Sequence, residues 1–100
     1  MAQFDVYRLG SGGVEFVLDL QDEMLDNLST RVVAPLALPE TVGPPMKTLN
    51  PRITVGGVDC ILLTHLLAAI SVAALGNPVG SASSQRDAIV AALDLLFTGI

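Results

Sequence analysis

Cys60 and His65 are the only thiol and the only imidazole in this chain of 100 residues. They are the one pair that could serve as nucleophile and base. On a strand their odd spacing sends the two side chains to opposite faces, which separates them. The residues therefore assign Cys60 to the core as a small hydrophobe and His65 to a loop or the surface. The acidic run Asp19, Asp22, Glu23 and Asp26 could draw a divalent cation, but it lacks the glycine and closing glutamate of an EF-hand loop. It reads as solvated loop charge. Gly10-Ser11-Gly12-Gly13 has neither the lysine nor the following helix of a phosphate-binding loop, and reads as a hairpin tip. No metal and no cofactor is expected.

The balance of the chain narrows the function further. It is 51% hydrophobic and 15% charged, with a mean hydropathy of +0.61, which excludes intrinsic disorder. Aromatic residues make up 4% and tryptophan is absent, so the core must be aliphatic. Ten acidic against five basic residues give a net charge of −5, a poor match for nucleic acid phosphates. One cysteine excludes an internal disulfide and suits a reducing cytoplasm. The apolar stretch from Ile61 to Leu75 is shorter than the roughly 18–20 residues of a membrane span, and His65 interrupts it. The N-terminal residues lack a basic region followed by an apolar run, so no signal peptide is expected. One soluble, cytoplasmic domain over residues 1–100 is the expectation, with an apolar surplus that suggests burial against a partner.

The elements that would position these residues follow from patterning. Phe4 to Tyr7 and Val14 to Leu20 flank the glycine tip and predict a β-hairpin. Arg31 to Leu38 predicts a third strand, which Pro35 pushes towards an edge or a bulge. Pro39 to Pro51 is a loop. Ile53-Thr54-Val55 and Val58 to Thr64, around Gly56-Gly57, predict a second hairpin. The run from Leu63 to Leu75 fits a buried strand or a buried helix; a helical turn near His65–Ala69 and a strand near Ser71–Leu75 are expected. Ser84 and Asp87 suggest a capping box that opens a helix over Ala88 to Phe97, with Gly99 as its terminator. Ile89, Ala92, Leu93 and Leu96 form its inner face. Val90, Ala91, Leu95 and Phe97 spread apolar surface round most of the circumference, leaving Asp94 as the polar break. Burial of this helix against a second subunit is the simplest account.

Two apolar groups have two possible fates each. Met24 and Leu25, inside the acidic turn, fold back into the core by default; the alternative is an exposed partner-binding point. The tail Phe97-Thr98-Gly99-Ile100 either frays or is tucked into an interface.

Ala2-Gln3-Phe4-Asp5-Val6-Tyr7, Phe16-Val17-Leu18-Asp19-Leu20-Gln21 and Arg31-Val32-Val33-Ala34-Pro35-Leu36 fall in the order seen in the CcdB toxin family. The resemblance continues through Leu49-Asn50-Pro51, Val55-Gly56, Leu75-Gly76 and Phe97-Thr98-Gly99-Ile100, and so covers essentially the whole chain. It implies a mainly β, SH3-like antiparallel barrel with one C-terminal helix, assembled as a homodimer through Leu93, Leu96, Phe97 and Ile100. It further implies a toxin of a type II toxin–antitoxin, plasmid-maintenance module, not an enzyme. Such a toxin binds the A subunit of DNA gyrase, is neutralised by a cognate antitoxin, and represses its operon together with that antitoxin. The gyrase-binding set would be Met24, Leu25, Asp94, Phe97, Thr98, Gly99 and Ile100. The antitoxin would contact Arg8, Gly10, Ser11, Gly12 and Gly13.

This chain has Thr98 where the best-known member has a tryptophan, and Asp94 where that member has an uncharged amide. A lost stacking anchor is worth about 2 kcal/mol or more at a hot spot. A binding module of the same fold with lost or redirected toxicity is therefore the alternative. A messenger-RNA-cleaving relative of the same fold comes third, since it would need a positive groove and an acid–base pair.

Overall fold

The computed structural model describes residues 1–11 and 14–99. Strands β1 (Asp5–Ser11), β2 (Val14–Asp19), β3 (Thr30–Ala37), β4 (Arg52–Val55), β5 (Val58–Leu62), β6 (Ala68–Ser71) and β7 (Gly80–Ser81) precede one helix, α1 (Arg86–Thr98). They form a single antiparallel sheet in the order β4-β5-β3-β2-β1-β7, with β6 added beside β3. The sheet curls into a nearly closed barrel. At its two ends, a Cβ built on Gly80 of β7 would lie 3.6 Å from Val55 of β4. The Gln85 carboxamide accepts from Thr54 N and donates to Thr54 O, each at 3.0 Å, and so caps the outer edge of β4.

The middle strands carry apolar residues on both faces. Val6, Phe16, Leu18, Ala34 and Leu36 point into the main core with Ile53, Leu62 and Ile89. Tyr7, Val17 and Val33 alternate with them and form a second cluster on the opposite face, covered by Leu75. Burial on both faces explains why β2 and β3 read as near-continuous apolar runs and not as strict alternation.

Both predicted hairpins are present. Gly56 (φ +55°) and Gly57 (φ +82°) take the left-handed conformations that a two-residue turn between β4 and β5 requires. The expectation that Pro35 marks an edge or a bulge is corrected: β3 is central, and its register with β2 is regular at Pro35. Its carbonyl accepts from Leu63 N at 2.9 Å, and in a strand the N and C=O of one residue point to the same side. The missing proline donor therefore faces the break where β5, paired at Leu36–Ala37, gives way to β6, paired at Thr30–Val33. Proline costs the ladder nothing there.

The run from Leu63 resolves into a 3-10 turn at Thr64–Leu66, as expected, but the strand that follows is Ala68–Ser71; Val72–Ala74 is a second 3-10 turn. The Ser84–Asp87 capping box is also corrected. A 3-10 turn at Ser83–Gln85 leads into α1, with Gln85 N donating to Ala82 O and Arg86 N to Ser83 O; the residue at the helix cap is Gln85, and no side chain caps it. Gly99 closes the helix at φ +75°, donating to Leu95 O at 3.0 Å. Ile89 and Ala92 are buried, Val90 and Leu93 pack on the core, Leu96 is half-buried, and Phe97 is exposed.

Candidate functional site: a braced apolar turn and the end of the helix

The segment between β2 and β3 departs most from expectation. Asp19 is not the solvated loop charge its acidic neighbours suggest: it is fully buried and paired with an equally buried Arg31. Asp19 lies two residues from Val17, and Arg31 two from Val33, so both fall on the second apolar face of the sheet. Arg31 Nε and Nη2 lie 3.0 and 2.8 Å from Asp19 Oδ2. Nη1 donates to Asp26 Oδ1 at 3.0 Å, and Nη2 also donates to Gln21 O at 2.7 Å. Burial pushes the Asp19 carboxyl above its ordinary value, against the opposing pull of the Arg31 guanidinium and the Gln21 N–H.

This network grips the acidic turn at both ends. Gln21 Oε1 accepts from Val32 N at 3.0 Å, and its Nε2 reaches Leu25 O and Thr30 O. Asp22 caps a 3-10 turn at Glu23–Leu25 by accepting from Met24 N at 2.8 Å. The default expectation for Met24 and Leu25, a return to the core, is overturned: Met24 is 86% exposed and Leu25 47%. Leu28, which sequence reasoning passed over, is 51% exposed on the same segment. Asp22 and Glu23 are solvated, as expected.

At the other predicted location, Asp94, Phe97, Thr98 and Gly99 are all exposed, and the Thr98 hydroxyl donates to Asp94 O at 2.6 Å. No hydrogen bond or ion pair among the described residues joins this helix end to the Met24 turn. Ile100, Gly12 and Gly13 lie outside the described residues. Arg8 is exposed on β1, 3.7 Å from Glu15 and with its guanidinium 5.1 Å from the Phe16 ring centre; Gly10 and Ser11 end that strand.

Cys60 is buried, and burial, with Asp59 and Glu15, pushes its thiol up, which disfavours the nucleophilic thiolate. His65 is exposed on its turn, as expected. Its Nδ1 lies 3.3 Å from Asn50 Nδ2. Asn50 Oδ1 accepts from Met46 N and Nδ2 donates to Leu62 O, so the amide orientation is fixed by backbone groups and Nδ1 of His65 acts as acceptor. Asn50 and His65 line a cleft of about 360 Å³ between the proline-rich loop and the Thr64–Leu66 turn. No cluster that could hold a metal ion occurs among the described residues. No helix among them is long and apolar enough to cross a membrane.

A family model described as CcdB protein matches residues 3–99. The chain belongs to the CcdB family. That membership makes it a toxin-type component of a toxin–antitoxin system. Among solved structures, one described as "Endoribonuclease in complex with its cognate antitoxin from Mycobacterial species" is similar, with a TM-score of 0.77 and 15% identity over 96% of this chain and 93% of that chain. At that identity the likeness speaks to the fold alone.

Proposed function

We propose that this CcdB-family protein binds the A subunit of DNA gyrase and inhibits the topoisomerase. A cognate antitoxin would hold it in check, and the two together would repress their operon within a plasmid-maintenance module. The observation that carries this reading is Met24, the most exposed large apolar side chain of the described residues, held on a turn whose backbone is bonded at both ends. An apolar side chain is kept in water on an ordered scaffold when it serves as a docking point. Leu25 and the helix-end residues Asp94, Phe97, Thr98, Gly99 and Ile100 complete the proposed gyrase surface. A homodimer through Leu93, Leu96, Phe97 and Ile100 would cover the half-buried Leu96 and the exposed Phe97, and would bring two such surfaces together. Arg8, Gly10, Ser11, Gly12 and Gly13 are the proposed antitoxin contacts. The reading places the protein in the cytoplasm with its target.

RNA cleavage is disfavoured by how the cations are used. Arg31 is buried in its ion pair, Arg52 pairs with Asp59, Arg8 with Glu15, and Arg86 sits over the Phe4 ring. Lys47 alone has no such partner among the described residues, which is no groove for a phosphate chain. The alternative of a binding module with redirected toxicity rests on Thr98, which offers no ring to stack.

A supercoiling assay with purified gyrase tests the proposal. Inhibition at micromolar toxin that Met24→Asp abolishes is the expected result. Absence of inhibition by the unmodified protein overturns the gyrase reading and favours redirected toxicity.

A further inference from the structure

We propose that Arg31 and Gln21 are positioning residues for the target-binding turn, and that Leu28 completes its apolar surface. The inference rests on the reading that this turn docks on a target protein; it adds which residues hold the turn ready and which third side chain makes contact.

The geometry separates two jobs within one network. Asp19 neutralises Arg31 inside the protein, and both side chains are fully buried. The remaining guanidinium bonds are spent on the turn: one to Asp26, whose side chain is 46% exposed just after Leu25, and one to the Gln21 carbonyl where the turn begins. Gln21 then reaches inward with its carboxamide, to Leu25 O within the turn and to Thr30 O and Val32 N on β3. The turn is therefore tied to the sheet through side chains on its two flanks, while Met24, Leu25 and Leu28 face solvent. Leu28 N donates to Leu25 O at 3.2 Å, so the same backbone fold fixes the spacing of these last two side chains. A segment ordered before contact loses less conformational freedom on binding than one ordered by it. An apolar trio on an unbraced loop would bind weakly.

A merely structural role predicts that restoring stability restores binding; a positioning role predicts that it does not. The variant Arg31→Met with Asp19→Leu removes the buried pair as a unit and leaves no lone buried charge, so the fold should be retained. Gln21→Ala leaves the ion pair intact and serves if the double variant does not fold. Leu28→Asp alters only an exposed contact. Amide hydrogen exchange over residues 22–28 and gyrase inhibition are read side by side on full-length protein. The expected result for the double variant and Gln21→Ala is a cooperative urea transition, turn amides exchanging about tenfold faster or more, and inhibition weakened about tenfold or more. Leu28→Asp should weaken inhibition about tenfold with turn exchange unchanged. Unchanged exchange of the turn in the bracing variants overturns the positioning role, and undiminished inhibition by Leu28→Asp overturns its place on the surface. If the unmodified protein does not inhibit gyrase, the target assignment fails, while the exchange measurements still decide whether the network orders the turn.

Discussion

Tyr7 is the only tyrosine in a chain without tryptophan, so its chemistry can be watched in isolation. Its side chain is fully buried in the second apolar cluster, and its hydroxyl has no hydrogen-bond partner among the described residues. A buried polar group left without a partner costs roughly 1–3 kcal/mol of desolvation. Tyr7→Phe removes that cost and keeps the ring, so it should stabilise the protein by about 1 kcal/mol at pH 7. In a domain of this size that corresponds to a melting temperature about 4–8 °C higher. Burial, and then the charges of Asp5 and Asp19, push the phenol above its ordinary value. The unfolded chain releases this proton near pH 10, whereas the folded chain still holds it. Stability contributed by the group is thus complete below about pH 10 and falls as pH rises through the folded value. Urea unfolding at pH 7 and at several values above 10 should show a decline in the unmodified protein that is shallower in Tyr7→Phe. Absorbance at 295 nm should show the native phenol ionising later than the urea-unfolded one. A loss of more than about 1 kcal/mol in Tyr7→Phe at pH 7, or coincident titrations of native and unfolded protein, would refute the reasoning.

Three further outcomes follow from the same structure. Arg31→Met alone strands the Asp19 carboxylate in the interior and should cost about 3–5 kcal/mol in urea unfolding at pH 7. With the guanidinium's pull removed, the carboxyl moves still further up, so the variant should regain stability as pH falls; a loss under about 1 kcal/mol would mean that the pair is hydrated. Leu96→Asp should shift the protein towards monomer in light scattering if the helix end is the dimer contact, and an intact dimer would place the interface elsewhere. Thr98→Trp should tighten gyrase binding about tenfold if the helix end is retained as a contact, and unchanged or weaker binding would argue against that geometry.

The hairpins, the third strand, the helix and its glycine stop were legible because they depend on neighbours in sequence. The run from Val14 to Leu20, the Gly56-Gly57 turn and the αL residue Gly99 each carry a local signal. Cys60 in the core and His65 on the surface were legible from their residue types; strand alternation does not relate the two, because His65 lies on a turn beyond β5. The errors at Pro35 and Asp19 involved partners distant in sequence. Pro35 looked like an edge residue because nothing local shows that two strands divide the outer side of β3 and leave a break opposite its nitrogen. Ser84 carries a capping pattern but lies inside a 3-10 turn, Ser83–Gln85, so the cap position falls one residue later, at Gln85.

The sequence by itself determined the hairpins, the C-terminal helix and the aliphatic core, since these depend on composition and periodicity; the barrel class came from the family resemblance. Only the tertiary structure decided the fate of the acidic turn. Asp19 and Arg31 are 12 residues apart, and alone each would be a solvated charge. Antiparallel pairing of β2 with β3 puts both on one buried face, where the cost of desolvating either charge can be met only by the other. That coupling turns a polar loop into a fixed platform and leaves Met24 in water, because a side chain is free to return to the core only when its backbone is free to let it.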